Sequence, residues 1–122
     1  MFAPMMAAAS GGGSAKSGTT NATSVNEQIA IDTGLTSISK FVWFAMNNNN
    51  NAQQIITYDA DLGSVFTTAF PATSAGYCKR PIGSAVTSTN PTVVSVSGGT
   101  ITIKMASGSG YGNCKAGVWY AS

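Results

Sequence analysis

The sequence predicts an all-β protein, an antiparallel β-sandwich of about seven to eight strands with an extended N-terminal arm. Three observations predict it. Short β-prone runs recur at near-even spacing, turn-forming residues separate them, and no run keeps helical periodicity beyond one turn. With 122 residues the chain has room for one hydrophobic core and one domain.

Residues 1–24 read as the arm and residues 25–122 as the sandwich domain. The arm opens on an apolar tip that includes Phe2, Met5 and Met6, then runs through Gly11-Gly12-Gly13-Ser14-Ala15-Lys16. Such a Gly/Ser/Ala/Thr stretch buries too little surface to offset its ordering entropy, so alone it is a flexible tether. An apolar tip on a tether is an attachment device, and Phe2, Met5 and Met6 are the residues expected to enter a groove on a partner. The tip lacks the positive region of a secretory signal, and Pro4 interrupts its apolar run.

The domain begins with Val25, Ile29 and Ile31, which share one face of an alternating run that stops at Thr33-Gly34. Residues 40–46 are apolar on both faces, the pattern of a central strand covered from both sides. Five asparagines at 47–51 make a loop, because their side chains compete with ladder hydrogen bonds. Runs at 54–58 and 64–68 flank a loop at 59–63, and residues 77–80 form a short strand stopped by Pro81. Residues 92–97 and 100–105 are joined by Gly98-Gly99, and both glycines can take the positive φ of a two-residue hairpin turn. In Thr100-Ile101-Thr102-Ile103 the isoleucines face inward and the threonines outward. The last run, 115–121, carries Val118, Trp119 and Tyr120 behind the glycine-rich residues 108–112. Phe41, Trp43, Ile101, Ile103 and Trp119 are the expected core.

Composition excludes more functions than it suggests. The chain has no histidine, four acids (Glu27, Asp32, Asp59, Asp61) and a net charge of +2. Without histidine the usual base of a nucleophilic triad is missing, and the one close carboxylate pair is Asp59 with Asp61. Zinc would need more ligands than Cys78 and Cys114 supply, and the glycines at 11–13 follow no strand, so they are not a phosphate loop. The chain is read as non-enzymatic, with no catalytic residues and no cofactor. Asp59 and Asp61 have the first spacing of a calcium loop but lack its third acid and its distant glutamate, so they read as caps on a polar turn. Lys79-Arg80 is the only adjacent basic pair, too little to neutralise several phosphates, and no nucleic-acid partner is expected. No segment reaches the 18 or so apolar residues of a membrane-spanning helix, and no membrane role is expected.

Cys78 and Cys114 occupy similar settings near strand ends, which suits a bridge between neighbouring strands, while a reducing cytoplasm favours two thiols. Both readings stay open. Asn21-Ala22-Thr23 has the form of a glycosylation acceptor but reads as linker. Most aromatics lie within strand runs and read as core, with Tyr77, Tyr111 and Tyr120 as an alternative exposed platform.

Charged residues make up 8% of the chain against about a quarter in ordinary domains. A surface of serine, threonine, asparagine and glycine suits contact with other copies better than life as a free monomer. Residues 92–103 followed by Gly117-Val118-Trp119-Tyr120-Ala121, together with Gly34-Leu35-Thr36 leading into Phe41-Val42-Trp43-Phe44, resemble small domains of bacteriophage tail, head-fibre and related virion proteins. The resemblance covers residues 30–122 and departs from that pattern in the asparagine loop and the two cysteines. It implies a structural or host-binding role and transfers no functional residue. The expectation is a structural component of a phage particle, a capsid decoration, head-fibre or tail accessory protein made in the host cytoplasm. Its partners would be other virion proteins and copies of itself. The competing readings are a receptor- or carbohydrate-binding module at a tail tip, contacting a host-surface glycan, and a pilus-like or surface-layer subunit.

Overall fold

Seven strands and no helix make up the regular structure in the computed structural model, which describes residues 14–21, 27–46, 53–61, 82–83, 91–106 and 116–122. They are β1 (Lys16–Thr20), β2 (Gln28–Asp32), β3 (Lys40–Met46), β4 (Gln53–Asp59), β5 (Thr92–Ser97), β6 (Thr100–Lys104) and β7 (Ala116–Ala121). Two antiparallel sheets result, a four-stranded one in the order β1-β7-β3-β4 and a three-stranded one in the order β2-β6-β5. The expected strands at 64–68 and 77–80 and the asparagine loop at 47–51 lie outside the described residues.

Alternation sorts the side chains as the sequence predicts. In β6, Ile101 and Ile103 are fully buried while Thr100 and Thr102 are half-buried. Phe41, Trp43 and Ala45 point the same way from β3, and with Ile56 of β4 and Ile31 of β2 they join one cluster drawn from both sheets. Trp43 and Trp119 are direct cross-strand partners on this inner face. Trp119 is only partly buried, short of the full burial expected of it, and its ring stacks on Phe41 with centroids 6.4 Å apart.

The Gly98-Gly99 hairpin forms in the expected place, pairing Ser97 with Thr100. Its glycines do different jobs. Gly98 alone takes the positive φ, +57°, as a turn with left-handed backbone at its first central residue requires. Gly99 is needed for space, since a Cβ there would lie 1.8 Å from the backbone oxygen of Leu35. The Gly99 carbonyl accepts from the Thr33 amide at 2.9 Å and the Thr33 hydroxyl at 2.7 Å, fixing the residues after β2 against the turn.

Residues 16–20 fall in the stretch read as arm, yet they form β1, an edge strand paired with β7. Tryptophan shape explains it. Gly18 lies opposite Trp119, and a Cβ on Gly18 would come within 2.7 Å of the indole. Thr20 lies opposite Gly117, which leaves room for Trp43 to donate from Nε1 to Thr20 Oγ1 at 2.9 Å. Two glycines thus let two indoles lie close to the backbone, and one indole holds the strand by its polar atom. Residues 1–13, with Phe2, Met5 and Met6, lie outside the described residues.

Gln54 faces the core from β4, is fully buried, and accepts from the Ala106 amide at 2.7 Å, tying the end of β6 to the other sheet. Gln54→Ala is expected to leave that amide unsatisfied and cost about 1–3 kcal/mol. Denaturant unfolding measures this, and a loss near zero would show that water replaces the amide.

Candidate interaction surface

Of the residues singled out for chemistry, Asp59 and Asp61 are among those the structure describes. Asp59 is buried at the end of β4 and accepts the Asp61 amide on Oδ1 at 2.9 Å. Its Oδ2 meets Lys40 Nζ at 2.6 Å, while the Ala60 amide donates to the Ser39 carbonyl. Hydrogen bonding to Asp59, reinforced by its charge, holds the Lys40 ammonium above its ordinary pKa. Asp61 is exposed, so the pair forms a capped turn with one carboxylate turned to a lysine. Among the described residues no three His, Cys, Asp or Glu side chains gather at one point. Cys78, Cys114, Lys79, Arg80, Tyr77 and Tyr111 lie outside the described residues.

What stands out is the outer face of the four-stranded sheet. Because strand side chains alternate, β3 turns Val42 and Phe44 away from the core, and β7 turns Val118 and Tyr120 with them. The register aligns two rungs across all four strands, Ser17-Tyr120-Val42-Thr57 and Thr19-Val118-Phe44-Ile55. Val42 is 41% exposed, Tyr120 50% and Val118 54%. The expectation that β3 is covered from both sides is therefore corrected: β3 is central within its sheet, but Val42 on its outer face meets solvent. Five of these eight positions are apolar, three are serine or threonine, and none is charged. The Lys40–Asp59 pair marks the rim, beyond Val42 and Thr57.

Four strands about 4.8 Å apart make the patch roughly 19 Å wide, and two rungs give it roughly 14 Å of length. Roughly 270 Å² per copy is well short of the ~800 Å² per partner of a stable two-protein interface. An area of that size is too small to hold two proteins together by itself.

A concave feature lies at the opposite flank from β4. Gly18, Thr19, Thr20 and Asn21 from the β1 side and Ile29, Ala30, Ile31 and Asp32 from β2 line a cleft of about 370 Å³, with Trp119 on its wall. Asp32 accepts the Gly34 amide at 3.0 Å, closing the turn after β2.

Sequence reasoning read Tyr120 as core, with an exposed platform as the alternative; it is half exposed, and its cross-strand neighbours are Val42 and Ser17. The outer face was missed because a run apolar on both sides was read as doubly covered. No protein-family model, no curated protein and no solved structure matches the chain.

Proposed function

We propose that the protein is a non-enzymatic structural component of a phage particle, a β-sandwich anchored through its N-terminal arm and packed against neighbours through its four-stranded sheet. The exposed, uncharged apolar face built on Val42, Val118 and Tyr120 carries the packing part of this reading. A face without charge contacts a like face with no ion to desolvate and no repulsion to overcome. The phage setting comes from the resemblance of residues 30–122 to virion domains. A glycan-binding module would favour a cluster of exposed aromatics, whereas the direct cross-strand partners of Tyr120 are Ser17 and Val42.

The test is a double variant, Val118→Lys with Tyr120→Lys, made in the phage whose genome encodes the chain. Both positions are exposed strand sites, so the unfolding midpoint should change little. Mass spectrometry of purified particles should find the wild-type chain in many copies and the variant strongly depleted. Absence of the wild-type chain from the particles would overturn the phage reading, and full incorporation of the variant would overturn the role of the face.

A further inference from the structure

The four sheet edges are not equivalent. On one flank β5 carries a bulge at Val94, between the pairs Val93–Ile103 and Ser95–Thr102, and the Gly83 amide donates to the Val93 carbonyl at 2.9 Å. A bulge and a bonded loop are both devices that stop an edge from accepting another strand. On the other flank β1 and β2 each pair on one side only among the described residues, and the cleft lies between them.

The phase of the β2 ladder shows what its free edge offers. The Thr33 amide donates to the Gly99 carbonyl, and the register continues as Asp32↔Thr100 and Ile31↔Ile101. In an antiparallel pair bonded and non-bonded positions alternate, so Ile29, Ile31 and Thr33 bond toward β6. Gln28, Ala30 and Asp32 therefore turn their backbone groups outward. No proline or lysine guards this edge, and its centre is the small, exposed Ala30. Inside the edge, buried Ile31, half-buried Ile29 and Trp119 give the cleft an apolar wall. A strand laid on β2 would meet the outward-turned backbone groups of Gln28, Ala30 and Asp32 and an apolar surface for alternate side chains.

We infer that the β2 edge is an acceptor slot for the apolar N-terminal segment of a second copy, residues 2–9. This rests on the arm-anchored reading above and names the arm's partner. The segment is apolar throughout, and the first charged residue of the chain is Lys16, so nothing in it must be desolvated as an ion. Thirteen extended residues before Ser14 span up to about 45 Å, against a radius of gyration of about 14 Å for a domain of this size. The segment therefore reaches a neighbour. Within its own chain, a reversal at the glycines 11–13 would lay it along the free edge of β1, not β2. Donation from copy to copy is head-to-tail and builds chains or rings, with the weak sheet face adding lateral contact.

The experiment pairs two defective variants. Deleting residues 2–9 removes the donor. Ala30→Pro removes an outward amide of the acceptor and leaves the bonds of Ile29 and Ile31 to β6 in place. In sedimentation velocity the full chain should form concentration-dependent oligomers, while each variant alone should stay monomeric with an unchanged far-UV spectrum. Mixed, the two should form a 1:1 dimer, since one still has a donor and the other an acceptor. If Ala30→Pro fails to fold, Ala30→Lys replaces it, and a peptide of residues 1–13 added to the deletion variant should shift the emission of Trp119. Oligomers that survive Ala30→Pro, or a mixture that stays monomeric, would overturn the slot. A monomeric full chain whose deletion variant is lost from particles would also overturn it, while leaving arm anchoring to another protein intact.

Discussion

Trp43→Ala is expected to destabilise the protein by about 3–5 kcal/mol, the range for removing a large buried aromatic. Trp43 is fully buried at the centre of β3, between β7 and β4, so the cavity would open where the four-stranded sheet meets the shared core. The change also removes the donor to Thr20 Oγ1. β1 has little apolar surface of its own, and its attachment depends on that bond and on the indoles lying against Gly18 and Gly117. Hydrogen exchange should therefore show residues 16–20 losing protection before the rest of the sheet. Trp43→Phe separates the two causes, because it keeps most of the ring volume and loses the Nε1 donor. It should cost about 1 kcal/mol for the hydrogen bond together with a smaller packing loss. Equal protection of β1 in both variants would show that the strand is held by β7 alone.

Ile103→Ala is expected to cost about 2–5 kcal/mol in denaturant unfolding. Ile103 is fully buried in β6, the middle strand of the three-stranded sheet, with Ile29 and Val93 as its cross-strand partners. Both neighbours are held in ladders, so they have little freedom to collapse into the space, which favours the upper half of the range. Thr102→Ala, on the opposite face of the same strand, is the control and should shift stability by no more than about 0.5 kcal/mol. Similar losses at 102 and 103 would mean that the outer face of this sheet is covered as well.

Much of the fold is legible in the residues. Strict alternation in Thr100-Ile101-Thr102-Ile103 identifies a strand and its buried side, and two glycines between complementary runs identify the hairpin. The apolar run at 40–46 identifies a central strand to the residue. Its outer side is less legible. An apolar residue facing outward is identical in sequence whether a second layer covers it or water does, and only the sheet order shows that Val42 is open.

The sequence by itself determined an all-β chain with buried Phe41, Trp43, Ile101 and Ile103, because strand patterning acts locally in β3 and β6. It also determined that ordinary acid–base chemistry lacks histidine. Only the tertiary structure decided that residues 16–20 are a strand. Lys16-Ser17-Gly18-Thr19-Thr20 has no pattern to bury, and its order comes from an edge of β7 and two tryptophans more than twenty residues away. Only the tertiary structure decided that Gly99 must remain a glycine, since its constraint is the Leu35 carbonyl and not its own φ. The β2 edge is of the same kind. Whether a strand's outward amides are free depends on which neighbours it has, and that is settled by how distant segments pair.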